Sequence, residues 1–535
     1  MRTNFWKAAI GAAAMAAVAT GALADGHGTP KAGGTLDFVV GSKIPSYDAH
    51  VETTFGMIHP ISPFYSLLIR VNPSEPASND FECDVCESFE ASADGLTFTY
   101  KIRKGLQFHD GKPLDANDVF ATYEKIIFPP EGTASSRKAF YAMVDSHKVV
   151  DSHTYEMKLK FPSGAYLPAM ASPFNYIYAD EDLAAHGMEW HKSNINGSGP
   201  FKFVEHQPGA FVSGVKNENY HFEGRPYLDG FKAISAPKLS ARVQAIEGNR
   251  AGIEFRGFPP KQRDALVGAL GDKIVVQESD WNCVLLVTPN HKAAPFDDPR
   301  VRRALSLAVD RWGGSKYLSK IAIVKTVGGI VYPNHPLAAT QEELKQLAGY
   351  GDDMEANRAE AKRLLEEAGF DFSKTYRFNN RGVDQPYKVV GTWLIDQWKK
   401  VGMQFDQQVN PSPVFYDILR KKYEFDVSID FNCQSVINPI ADVSKFIPSS
   451  GNNYTQNEDA ELEAMYQDLL RAGTEDEQRA IMRKLEKAVL DEKATQFISL
   501  WWYKINPHWN YVKGWKIAPS HYLGQQLDHI WLDKG

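Results

Sequence analysis

The sequence predicts an α/β protein with mixed sheets, large enough for two or three lobes. Three observations carry that expectation. The chain has 535 residues, and setting aside an N-terminal leader of about 24 leaves far more than one ordinary core organises. Strand-like and helix-like segments are interspersed without strict alternation, which points to mixed sheets. Hydrophobic residues make up 43% of the chain, with 30 Phe, 23 Tyr and 11 Trp, a composition that packs rather than one that stays disordered.

The leader comes first. Arg2 and Lys7 open the chain, Ala8 to Ala19 is apolar but mostly alanine, and Ala22-Leu23-Ala24 places small residues where a signal peptidase reads. This pattern predicts a secretory signal peptide over residues 1–24, cut after Ala24 and too short and weakly hydrophobic to span a membrane. No cysteine stands near the cut to carry a lipid, so the expected product is exported and untethered. Residues 25–32 are polar and are expected to be disordered.

Gly33 to Val40 then reads as a turn into a strand, and Leu96 to Ile102 alternates strictly, as a half-buried strand does. Asp115 with Asp118 three residues on predicts a capped helix whose apolar stripe is Val119, Phe120, Tyr123, Ile126 and Ile127, stopped by Pro129-Pro130. Gly197-Ser198-Gly199-Pro200 is a turn before the strand-like Phe201 to Val204. Asp298-Pro299 starts another helix, with proline where a missing N–H costs nothing. Ala359 to Ala368 and Thr392 to Val401 read as helices closed by Gly369 and Gly402, the second followed by a strand from Met403 to Val409. Asn379-Asn380-Arg381-Gly382 reads as a polar loop. Asp459 to Lys493 predicts a helical pair broken near Gly473, and Thr495 to Ile505 an apolar strand.

Charge and cysteines narrow the function classes. Arg2 and Lys7 leave with the leader, which takes the formal charge from −7 to about −9. Such a mildly acidic surface gives no footprint for nucleic acid. Four cysteines in an exported chain allow two disulfides in three connectivities. The preferred reading is a local Cys83–Cys86 bridge, because its acidic loop lacks a redox or zinc context, leaving Cys283 to pair with Cys433. No nucleophile-elbow, zinc-protease or dinucleotide motif is present; Ser135-x-x-Lys138 lacks the companion motifs of penicillin-binding enzymes, and His147 and His153 have no metal-like neighbours. No enzyme, metal site or cofactor is therefore expected.

Gly33-Gly34-Thr35-Leu36, Glu87-Ser88-Phe89 through Phe98, Arg103 to Leu114, Gly197 to Lys202, Phe296 to Ala304 and Leu364 to Phe370 follow one another along the chain. In sequence and in order these runs resemble the extracellular family 5 solute-binding proteins of ABC importers, the group that includes dipeptide- and oligopeptide-binding proteins. The resemblance implies a periplasmic, two-lobed clamp with a hinge. Lobe I would cover residues 33–286, with an extra subdomain at about 70–194; lobe II would cover 287–501, and 502–535 would return to lobe I. The implied function is capture of a small solute, peptide-like or otherwise polar or anionic, by hinge closure. The implied partners are that solute and the importer's permease subunits with their ATPase, the clamp itself being a monomer. An envelope binder of haem or a metal chelate is the alternative, ahead of a secreted enzyme or chaperone.

Candidate ligand residues follow from the same resemblance and from pocket chemistry. Arg381 suits a carboxylate. Trp281, Trp501 and Trp502 lie near the expected crossings between lobes, and strand alternation lets at most one of the adjacent pair face a ligand. Thr54 follows the first strand. Asn432, Ser435 and Asn438 occupy a stretch where peptide-binding members carry an aspartate about two positions after the cysteine, pairing with the peptide's amino terminus. Here that position is Ser435, whose neutral hydroxyl cannot neutralise a buried ammonium. Asp426, Asp430 and Asp442 are the nearby carboxylates that could replace it.

Overall fold

The computed structural model describes residues 28–78, 80–433, 435, 438, 440 and 443–534. The leader and its cut lie outside these residues, as does Asp442.

One sheet opens the fold. Leu36, Phe38 and Val40 of Thr35–Val40 are buried, and the strand pairs in parallel with Gly230–Ser235, which continues antiparallel through Phe211–Lys216 to Phe201–Gln207. The Gly197-Ser198-Gly199 turn before this sheet permits a close backbone approach. A Cβ at residue 197 would stand 1.9 Å from the Phe64 carbonyl oxygen, and one at 199 would stand 2.4 Å from the Tyr65 nitrogen, so only glycine fits at either position. A second, antiparallel sheet is ordered Cys86–Ala91, Thr97–Ile102, Thr154–Leu159, Val144–Asp151. The helix Ala116–Ile127 packs against it. Its capping box is made by Asp115 and Asp118, it buries Val119, Tyr123, Ile126 and Ile127, and it ends before the Pro129-Pro130 stop.

The second lobe is built on a six-stranded mixed sheet ordered Val324–Thr326, Phe497–Trp509, Ile274–Pro289, Val427–Cys433, Thr375–Arg381, Gln404–Asn410. Its two long strands link the lobes. Ile274 to Asp280 pairs with Trp509 to Tyr503, the register breaks, and pairing resumes at Val284 with Trp501. Ahead of the break, Ile274, Val276 and Trp509 pack on Val39, Ile246 and Phe258, beside the first sheet. Beyond it, Cys283 to Pro289 pairs with Cys433 to Val427. Cys283 and Cys433 stand directly opposite and are joined, with Cα atoms 4.0 Å apart; Cys83 and Cys86 form the second bridge.

Three segments differ from the sequence reading. The helix expected from Ala359 begins at Met354, because the Asp353 side chain accepts the Ala356 N–H. The helix expected from Thr392 begins at Val389. Arg381 is not in a loop: it is the last residue of the strand Thr375–Arg381, paired in parallel with Asn410. The Asn-Asn-Arg run is polar because it lies at the carboxyl end of a parallel pair, where α/β sheets present ligand-facing groups. Gly369 and Gly402 do close their helices with positive φ of 67° and 92°.

Candidate functional site

Arg381 is wholly buried at the seam between the lobes. Its Nε donates to Ser412 Oγ at 2.9 Å and its Nη1 to Tyr387 Oη at 3.3 Å, both within the second lobe. Its Nη2 donates across the seam to Ser42 Oγ at 3.2 Å and Thr54 Oγ1 at 2.7 Å. Thr54 is also the N-cap of the helix Phe55–Ile61, accepting from the Gly56 N–H, which fixes its hydroxyl toward the seam. Burial would lower the Arg381 pKa, but the neighbouring phenols of Tyr416 and Tyr387 outweigh it and hold the guanidinium charged. A second crossing lies alongside. Arg420 reaches Glu52 Oε2 at 3.1 Å and Thr53 Oγ1 at 2.8 Å.

The strands that link the lobes supply the aromatic wall. Trp281 and Trp502 meet edge to face with centroids 5.0 Å apart, and Trp281 Nε1 donates to His521 Nδ1 at 2.9 Å. Trp501, one residue from Trp502, points to the other face and donates to the Gly329 carbonyl at 2.9 Å. The structure therefore brings Trp281 and Trp502 to the seam and puts Trp501 in the second lobe's interior. The period of two along a strand is the reason.

Asn432 and Ser435 line a small interlobe cavity of about 40 Å³, together with Thr53, Arg137, Phe174, Asp430, Lys445 and Tyr522. That volume holds about one to three waters, so the lobes must part to admit a larger guest. Asn438 stands apart from this lining; its Nδ2 donates to the Gly164 carbonyl at 3.4 Å. Of the carboxylates weighed as substitutes at Ser435, Asp430 is bonded by Lys445 Nζ at 2.6 Å and Asp426 by Arg377 at 3.1 Å. Both are already neutralised. The Cys283 and Cys433 sulfurs and a His521 nitrogen cluster closely enough to suggest a metal, but both sulfurs are tied up in the disulfide.

The sequence reading did not single out Arg256, Tyr387, Arg137 or His521, whereas Phe55 belongs to the Thr53-Thr54-Phe55 run that it weighed with Thr54. Arg256 is fully buried, with its guanidinium carbon 4.5 Å from the Phe55 ring, 5.0 Å from Trp502 and 5.7 Å from Trp281. Burial pushes its pKa down to about 10. The signal available was a charged residue inside the apolar run Phe255-Arg256-Gly257-Phe258-Pro259. Arg137, also buried and lowered to about 10 by burial, is held by the Ala49 and Glu52 carbonyls and lies over Phe174 at 3.9 Å.

Comparison with known proteins places this arrangement. Residues 80–511 match the family model described as bacterial extracellular solute-binding proteins, family 5 Middle. The oligopeptide-binding protein AppA of Bacillus subtilis is 25% identical over 95% of this chain and 93% of its own length. Di/tripeptide-binding protein 2 of Pseudomonas aeruginosa is 27% identical over 53% of this chain, and the match spans only about half of that relative's length, 54%. The solved structure of AppA from Bacillus subtilis with a nonapeptide superposes with a TM-score of 0.81 at 20% identity, covering 95% of this chain and all of that one. No helix among the described residues is long and apolar enough to cross a membrane.

Proposed function

This chain belongs to the bacterial extracellular solute-binding proteins, family 5, and we propose on that premise that it is the periplasmic solute-capturing component of an ABC importer. It works as a clamp and not as an enzyme. A guest enters between the parted lobes, contacts both, and favours the closed form by its differential affinity for it. The closed clamp then presents the guest to the permease subunits, which an ATPase drives.

The observation that carries this reading is the Arg381 guanidinium, bonded at once to Ser412 and Tyr387 of one lobe and to Ser42 and Thr54 of the other. Such a contact exists only when the lobes meet. The register break between Asp280 and Val284 supports a hinge there, because a bulge lets a strand bend without losing the ladder on either side. Trp281, Trp502, Thr54, Asn432 and Ser435 are the remaining contacts we assign to the guest's surroundings.

Small-angle scattering of protein stripped by partial unfolding and refolding, then compared with protein purified from its own cell envelope, tests the clamp. The stripped form should be the more expanded, and native mass spectrometry of the purified form should show one small molecule per chain. Identical scattering curves and no guest would remove the reading.

A further inference from the structure

Buried donors without acceptors gather around Trp281. All three nitrogens of Arg256 are buried with no hydrogen-bond partner. Trp502 Nε1 is a second such group, and its ring lies 5.0 Å from the Arg256 guanidinium carbon. His521 Nε2 is a third. An indole N–H can only donate, so the Trp281 bond makes His521 Nδ1 the acceptor, and in the neutral ring the proton sits on Nε2. The Arg256, Trp502 and His521 groups are all donors, and the Asn282 side chain next to Trp281 is an unpartnered amide that carries both a donor and an acceptor. A buried donor left without an acceptor is costly, and more so when it is charged.

The seam's carboxylates cannot serve. Glu254, the carboxylate that acts electrostatically on Arg256, is bonded to Arg242 and the Gly257 N–H, Asp430 to Lys445, Glu52 to Arg420 and Asp48 to Lys125. Arg256 forms no ion pair among the described residues, whereas Arg381 already has four hydroxyl acceptors. A guest offering an ammonium here would add donors to donors. A guest offering only acceptors would complete the set.

We infer that the solute class is a small anion, whose carboxylate is held by Arg256 with the Trp502 and His521 N–H groups. This rests on the clamp reading and specifies its guest. Arg256 sits where both lobes and both linking strands converge: Phe55 from the first lobe at 4.5 Å, Tyr387 from the second at 6.0 Å, Trp281 and Trp502 from the strands. Arg381, by contrast, closes the clamp around the guest.

Matched probes that differ only in charge test this: benzoate against benzamide, and N-acetylphenylalanine against its amide, titrated calorimetrically into stripped protein. Wild type should bind each acid at least about tenfold more tightly than its amide, the equivalent of about 1.4 kcal/mol. Arg256→Gln should erase that preference, and Trp502→Phe, which keeps an aromatic ring and loses the N–H, should reduce it. Equal affinity for acid and amide, no binding of either by wild type, or a preference that survives Arg256→Gln would overturn the inference. Native mass spectrometry of envelope-purified protein separates the two readings. A neutral or cationic guest would refute the anion and leave the clamp standing; no guest in any preparation would count against the clamp.

Discussion

Arg381 Nη2 donates to Thr54 Oγ1 at 2.7 Å across the seam between the lobes, and the same hydroxyl oxygen caps the helix Phe55–Ile61. Closure and local folding therefore share one atom. Replacing Thr54 with Val keeps the shape and removes the hydroxyl, so two effects should separate by assay. The lost cap should cost about 1 kcal/mol of stability in the stripped protein. The lost crossing should lower guest affinity further, while Thr54→Ser restores both. Arg381→Ala should fold and lose affinity for an anionic guest by about tenfold or more, as expected for a charged hydrogen bond. Calorimetric affinities unchanged in both variants would remove the crossing from the mechanism.

Arg420 and Glu52 form the second crossing, an ion pair whose side chains are 16% and 7% exposed. Such a pair resists solvent screening, and breaking it leaves an unpaired buried carboxylate or guanidinium. Arg420→Met should open the clamp more readily than Glu52→Gln, because Arg420 also bonds Thr53 across the seam. Stopped-flow release of a bound probe is the suitable measurement. Both variants should release faster than wild type; equal rates would mean that this pair forms outside the binding cycle.

Much of the fold was legible because its signals are local. The Asp115/Asp118 capping box, Pro299 in a first turn and the glycine stops at 369 and 402 each fix their own segment. The candidate site was legible only where chemistry stands out in a row of letters. Arg381 was found as an isolated guanidinium in a polar run, although that run is the end of a strand and not a loop. Arg256 was not found, since its meaning lies in what surrounds it: Phe55, Tyr387 and Trp502 come from segments more than a hundred residues away in sequence. That Trp502 and not Trp501 faces the seam depended on the strand's register, which adjacent identical residues cannot reveal.

Cys283 and Cys433 close a loop of 150 residues between two neighbouring strands of the second lobe's sheet. Cross-linking so long a loop restricts the unfolded chain, and removing the bridge should cost about 2–4 kcal/mol. The Cys283→Ala, Cys433→Ala double variant should therefore unfold at lower denaturant, with its guest affinity reduced because Cys433 lines the interlobe cavity. Removal of the Cys83–Cys86 bridge, separated by only 3 positions, should cost less. Peptide mapping of unreduced protein should recover both pairs; a free thiol at either long-range position would contradict the structure.

Lys504 is buried on the strand Phe497–Trp509, with its ammonium 5.4 Å from the Trp515 ring and 6.0 Å from Trp281. Burial pushes its pKa from 10.5 down to about 7, against a partial pull upward from Glu254. The unfolded chain keeps this proton until about pH 10.5, whereas the folded chain releases it near 7. Between those values the unfolded state binds more protons, so stability rises with pH across the window. Below pH 7 both states are protonated and the full penalty of the buried charge applies. At about 1.4 kcal/mol per pKa unit, the effect is on the order of a few kcal/mol in all. Lys504→Met should therefore be more stable than wild type below pH 7, with the difference shrinking as the pH is raised toward 10. Denaturant titrations of both proteins at stepped pH measure that difference directly, and other groups titrating in the window cancel from it. Two stability curves that stay parallel from pH 6 to 10 would show that the buried lysine keeps its ordinary pKa.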